Sequence, residues 1–312
     1  MAAHSLSNVI FSPPVWSVFS PPVWSVLRAA RRRLEPVLPL DTIWHLARKQ
    51  AEWSFHRHMH QKLGPWFQSV DPGPPMSIEM RGMTSTQHKE ELSGRYSLER
   101  FFFRAYTDMD FLIRAAERSS LNLRAIGSIL EFGCGSARLL RLLRCIQDIR
   151  LVGTDTNAEC VTWCQENVPG PEYYVNERRP PLAFAAEESF DLVYSVSVFT
   201  HIPLEWQAEW LQEMHRILRP GGFFLCTVLG WNYAQSILAP EDRNQLRREG
   251  QFTLGPDHPR LSYSSRVVGL PDVIQRRYRV IEAFGEDFHL LDFVPAFHGP
   301  LGQDLLILRK PE

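Results

Sequence analysis

The chain has 312 residues, enough for one large or two small domains around a substantial core. Its hydrophobic fraction of 44% and charged fraction of 22% are ordinary for a soluble globular protein. With 34 basic against 35 acidic residues the net charge is −1, which argues against a polyanionic partner such as DNA or RNA.

The N-terminus carries a tandem octapeptide, Phe11-Ser-Pro-Pro-Val-Trp-Ser-Val18 and then Phe19-Ser-Pro-Pro-Val-Trp-Ser-Val26. Two copies are too few for a solenoid. The Pro-Pro pairs exclude a transmembrane helix and favour extended backbone. No apolar segment with a small-residue cleavage site is present, so no signal peptide is expected. The stretch reads as a tail, and its tryptophans, with Arg28 and Arg31 to Arg33, suit peripheral contact with a membrane surface or a protein. Residues 41–63 then read as a helix with Asp41 as N-cap and Gly64-Pro65 as its stop. Its end, His56-Arg-His-Met-His60, places only His56 and His60 on one face without an acidic or cysteine partner nearby. It is therefore expected to be a solvated helix end and not a metal site. The Pro- and Gly-rich stretch Ser69 to Pro75 is the expected boundary, giving an N-terminal extension over 1–75 and a main domain over 76–312.

Residues 95–118 form an aromatic helix in which Phe101, Phe102, Phe103, Tyr106 and Phe111 are mainly packing, with Tyr96 or Tyr106 available to border a ligand. The periodicity beyond it predicts alternating strands and helices. Strands are expected at 128–132, 150–154, 172–175, 190–195 and 222–229, and helices at 136–147, 157–167 (capped by Thr156 or Asn157) and 204–218. Gly230 to Val268 holds no long periodic run and is too long for an ordinary connection. Its Trp231, Tyr233, Phe252 and His258 suit a substrate lid over 230–268. A helix from Pro271 to Phe284 and a final strand pair, 287–293 and 303–308, complete the chain. The five cysteines all fall inside this core, which fits reduced thiols in a cytoplasmic protein.

The most informative stretch is Ile129-Leu-Glu-Phe-Gly-Cys-Gly-Ser-Ala-Arg-Leu-Leu-Arg141. It reads as a strand, a glycine-punctuated turn and a helix, the unit that offers a loop and a helix N-terminus to a nucleotide-like ligand. Gly133 and Gly135 allow close backbone approach. Asp155, ending the next apolar run, is placed to accept hydrogen bonds from both ribose hydroxyls, as an acidic residue does in dinucleotide folds. A dinucleotide site needs a third glycine where this chain has Arg138, and Glu131 suits a ligand ammonium better than a phosphate.

Glu131-Phe-Gly-Cys-Gly-Ser-Ala137 resembles motif I of class I S-adenosylmethionine-dependent methyltransferases, with Ala137 in place of that family's usual third glycine. The segment Ser189 to Ile202 resembles the family's strand-four motif. Leu218-Arg-Pro-Gly-Gly222 resembles its turn before strand five, and the terminal strand pair matches its ending. The resemblance covers about residues 122–312 and implies an α/β fold. That fold is Rossmann-like, a mostly parallel seven-stranded sheet with a C-terminal antiparallel pair, here with an α-helical N-terminal extension. It also implies S-adenosyl-L-methionine as cofactor and no metal. Glu131 would face the amino end of its methionine, Asp155 its ribose and Ser195 its methionine part, with Gly133 and Gly135 lining the approach and Asn176 on the adenine edge.

The methyl of this cofactor is already electrophilic, so the enzyme must hold a nucleophile in line with it, at roughly 3–3.5 Å. His201, just past strand four, is the sharpest candidate for a general base, with His258 and Glu205 behind it and a structural role as its alternative. Ser195-Val-Ser-Val198 lacks the Asn/Asp-Pro-Pro-Tyr-like signature of nucleobase amine methylation, and the chain lacks a Pro-Cys nucleophile for C5-cytosine chemistry. The acceptor is therefore expected to be a small molecule or glycan methylated on oxygen or nitrogen. A noncatalytic, cofactor- or partner-binding protein is the competing reading.

Overall fold

The computed structural model describes residues 40–69, 71–74, 98–261 and 269–312. The tandem octapeptide and Tyr96 lie outside the described residues, as do positions 262–268 of the expected lid. A seven-stranded sheet organises the main part of the chain, built from β1 (Ser128–Phe132), β2 (Arg150–Asp155), β3 (Glu172–Val175), β4 (Phe190–Ser195), β5 (Leu218–Val228), β8 (His289–Val294) and β9 (Asp304–Arg309). Their order is β3-β2-β1-β4-β5-β9-β8. Pairs among β1 to β5 are parallel, whereas β9 runs antiparallel between β5 and β8. This is the sheet expected from the sequence, with every strand centre where the apolar runs placed it.

The strands of the parallel part are apolar on both faces, as a sheet covered by helices on both sides requires. Ile129, Leu151 and Leu192 face one core, and Leu130, Val152 and Val193 face the other. On the first face lie α1 (Leu40–Leu63), α2 (Leu98–Arg118), α3 (Leu140–Leu143) and α4 (Ala158–Asn167), and on the second lie α5 (Leu204–Ile217) and α8 (Arg277–Gly285). Asn157 caps α4 by accepting from the Glu159 and Cys160 amides. Asp41 stands inside α1, which starts at Leu40, and so is not its N-cap.

The histidine cluster of α1 is only partly solvated: His60 is exposed, His56 half-buried and His58 buried. His58 is buried 3.0 Å from Glu117, and burial pushes its pKa down to about 4. His56 and His60 both present ring contacts to Phe67. Phe67 in turn bridges to Ile146, and the Arg141 guanidinium donates to the carbonyls of Pro72 and Pro74. Within the described residues 71–74 of the Pro- and Gly-rich stretch, Pro72 and Pro74 are thus tied to the core.

Two expected helices are shorter than their patterns. The one after β1 is α-helical only over Leu140–Leu143, because Ala137 sits at φ 50° in the left-handed region and delays its start. The one expected from Pro271 begins at Arg277; Asp272–Gln275 is instead a fully buried strand, β7. Val273 and Ile274 are β-branched, and β7 pairs antiparallel with β6 (Gln251–Leu254). The segment expected to be irregular after β5 folds into α6 (Trp231–Ile237), α7 (Pro240–Glu249) and β6, around a small core of Leu229, Ala234, Leu238, Leu246, Leu254, Leu261 and Ile274. Among the described residues no helix is long and apolar enough to cross a membrane.

Candidate active site

The carboxyl ends of β1, β2 and β4 open onto a cavity of about 480 Å³, within the size range of small-ligand pockets and in the crevice where open α/β sheets bind ligands. The loop after β1 makes its floor. Gly133, Gly135 and Ala137 all adopt left-handed backbone, with φ of 79°, 49° and 50°. A side chain at Gly133 would collide with Val198, whereas a Cβ at Gly135 would meet nothing. The same alternation explains why glycine is usual at the place of Ala137.

Two carboxylates hold this loop. Asp155 accepts from the Gly135 amide at 2.7 Å through one oxygen and from the Asn157 amide at 2.9 Å through the other. Burial nevertheless raises its pKa, outweighing those bonds. Glu131 is buried and accepts from the Leu140 amide at 3.0 Å. Burial pushes its carboxyl up to about 8, against the weaker opposing effect of the Leu140 bond. A buried carboxyl in the cavity lining suits a ligand that brings its own positive charge.

Of the residues singled out from sequence, Glu131, Gly133, Gly135, Asp155, Asn176 and His201 all line the cavity. The Asn176 amide is largely occupied in holding strand ends, since its Oδ1 accepts from Thr154 and its Nδ2 donates to the Glu177 carbonyl. Ser195, the last residue of β4, is fully buried and does not line the cavity, whereas Val196, Ser197 and Val198 do. Ser197 has φ 61° and is held there by two partners that also bond each other. Its amide donates to Thr227 Oγ1, Gln303 donates to its hydroxyl, and Thr227 donates to Gln303.

His201 also lines the cavity, with Nδ1 3.1 Å from the Pro271 carbonyl oxygen and 3.3 Å from the Asp272 carboxylate. His258 lies elsewhere, against Phe252 and 3.8 Å from Asp242. Glu205 is exposed on α5 and does not line the cavity. Nor do Tyr106, Trp231, Tyr233 or Phe252. Sequence reasoning missed Asp272, hidden inside an expected helix, and the cationic lining residues Arg138 and Arg178. Arg138 is paired at 2.8 Å with the fully buried Asp108 of α2, a contact across thirty positions that carries no local signature.

The donor set fits S-adenosylmethionine: a buried carboxyl for an ammonium, a carboxylate with lone pairs left for a diol, and a loop whose left-handed residues clear the space between them. Among the described residues no group of three or more His, Cys, Asp or Glu side chains is placed to hold a metal.

Residues 130–226 match the family model described as a methyltransferase domain. Among solved structures, the chain is similar to a methyltransferase from Methanosarcina mazei, at 17% identity over 59% of this chain and 92% of that one, with a TM-score of 0.44. It is similar to a chain of the complex between the Haloferax volcanii Trm112 methyltransferase activator and a methyltransferase, at 16% identity over 76% of this chain and 100% of that one, TM-score 0.46. A third similar structure is the 1,6-didemethyltoxoflavin N1-methyltransferase of Burkholderia thailandensis, at 16% identity over 79% of this chain and 95% of that one, TM-score 0.43. None is close enough to bring its acceptor to this chain. Residues 130–226, set in this sheet, are therefore a methyltransferase domain.

Proposed function

We propose that the enzyme methylates an oxygen or nitrogen of a small molecule or glycan, with His201 as general base. One observation carries this reading: the cofactor-type loop residues and His201 line the same cavity of about 480 Å³. S-Adenosylmethionine supplies the electrophilic methyl. Asp155 holds the ribose diol, the Glu131 carboxylate faces the ammonium, and the backbone at Gly133 and Gly135 lets the chain of the ligand pass. His201 takes the proton that a hydroxyl or ammonium acceptor must lose, which an imidazole does near neutral pH. The small cavity and the net charge of −1 favour a small acceptor over nucleic acid. Five buried free thiols support a reducing, cytoplasmic setting.

The test is calorimetric binding of S-adenosylmethionine, followed by a radiolabelled-methyl screen over hydroxylated compounds, amines and glycans, with transfer RNA and protein as controls. Label in a small molecule or glycan is the expected result. Label only in RNA or protein overturns the acceptor class, and binding without any transfer overturns the catalytic reading.

A further inference from the structure

The inward side of α1 is accounted for by packing, since Ala51, Phe55, Met59 and Leu63 are all buried in the core that α2 shares. Its outward side is not simply polar. Leu46 and Trp53 stand seven residues apart, two helical turns, and so share that side. They are 47% and 53% exposed. Lys49 and Arg57, four residues to either side of Trp53, are exposed beside it. The Arg57 guanidinium lies 5.0 Å from the centre of the Trp53 ring. Trp66, in the turn Gly64–Trp66 that follows the helix, is 39% exposed. Among the described residues these are the two exposed tryptophans, because Trp44, Trp163, Trp206, Trp210 and Trp231 are buried or half-buried.

Charge is divided in the same way. Residues 1–66 hold eight Lys and Arg against three Asp and Glu, net +5, so with −1 for the whole chain the remaining residues carry −6. Ahead of α1 the sequence adds Trp16 and Trp24, then Arg28 and Arg31 to Arg33. Among the described side chains of α1 only Glu52 is acidic, and it is half-buried, 4.0 Å from Lys49.

We infer that the outward side of α1, with the turn at Trp66, docks peripherally on an anionic lipid bilayer. Leu46, Trp53 and Trp66 enter the headgroup region, and Lys49 and Arg57 meet lipid phosphates. An indole has an apolar body and one N–H, which suits the boundary between acyl chains and water. Lys and Arg lay their apolar stems along the same boundary and keep their charge at the phosphates. A few anchors of this kind hold weakly, and stable attachment takes a second signal, which the basic sequence ahead of α1 supplies by charge. The −6 on the remaining residues is repelled by the same surface, so attachment is by this end of the chain. A second copy on this face would set positive charge against positive charge. No residue of α1 or of the turn lines the cavity, so docking does not occupy the cofactor site.

The full-length protein is sedimented with phosphatidylcholine vesicles containing about 30% phosphatidylglycerol, and with vesicles of phosphatidylcholine alone. The wild type should partition at least about tenfold more strongly onto the anionic vesicles, and lose most of that gain between about 0.1 and about 0.5 M salt. Trp53→Ala should lower the partition coefficient on anionic vesicles at least about fivefold at unchanged melting temperature. Lys49→Glu with Arg57→Glu should do the same, and carries the test if Trp53→Ala fails to fold. Leu291→Ala, which removes a side chain 42% exposed on β8, should leave partition unchanged. No partition by the wild type, or equal partition onto both kinds of vesicle, overturns the inference. Partition unmoved by both changes on α1 would assign attachment to the sequence ahead of it and overturn docking by this face. Concentration-dependent self-association that is lost in Trp53→Ala would give the face to a second copy instead.

Discussion

On the side of the cavity made by β1 and β2, carboxylates hold backbone; on the side that follows β4, a carboxylate holds a histidine. Asp155 and Glu131 accept from the amides of Gly135, Asn157 and Leu140, and the Gly133 and Cys134 amides both donate to the Thr154 carbonyl. That side is closed on itself within two adjacent parallel strands. His201 depends on Pro271 and Asp272, seventy positions on, and through Asp272 on Tyr233. A backbone-built site determines affinity, because disturbing it moves every contact the ligand makes. A site built from one side chain determines rate, because its removal leaves the binding surface in place.

This contrast breaks most sharply at His201. His201→Gln should lower turnover by about 10²–10⁴-fold with cofactor affinity near wild type, the usual range for a positioned acid–base group. Steady-state kinetics on a hydroxyl acceptor check it, and near-normal turnover would reduce His201 to shaping the loop. Next in size is Asp155→Ala, which removes two bonds to loop amides as well as the diol partner. Cofactor affinity should fall about ten- to a hundredfold, from a loss of roughly 1.5–3 kcal/mol. An unchanged dissociation constant in a folded variant would remove Asp155 from the site.

A smaller effect sharpens the comparison through pH. The Glu131 carboxyl ionises near 4.5 in the unfolded chain and at about 8 in the folded one, chiefly because it is buried. Between those values the folded state holds the extra proton, so this group's contribution to stability falls as pH rises from about 4.5 to 8. Glu131→Gln keeps an acceptor for the Leu140 amide and cannot ionise. The gap in melting temperature between Gln variant and wild type, without cofactor, should therefore widen in favour of the variant across that window. A gap that is flat with pH would contradict the buried, protonated carboxyl. The smallest effect is expected from deleting residues 1–27, which should leave cofactor affinity unchanged. A lost affinity would show that the tandem repeat contributes to the pocket.

The same contrast governs what could be read from the amino-acid order. The place of Glu131, Gly133, Gly135 and Asp155 in one cavity was legible because it follows from short-range pattern: a strand, a turn needing left-handed residues, and the carboxylate ending the neighbouring strand. The left-handed Ala137 was not, and it shortened the following helix to Leu140–Leu143. Four residues, Asp272–Gln275, are too few to display a strand's alternation, and the helical pattern after them absorbed them. Their pairing with β6 is long-range, and so is the meeting of Asp272 with His201. Ser195 was placed one residue too early: β4 buries it and hands the wall to Val196, Ser197 and Val198.

The most direct test is calorimetric titration of S-adenosylhomocysteine into the wild type, Asp155→Ala and His201→Gln. Two differently built sides of one cavity require binding by the wild type, a loss of about ten- to a hundredfold in Asp155→Ala, and near-wild-type affinity in His201→Gln. No binding by the wild type, or equal losses in both variants, would contradict it.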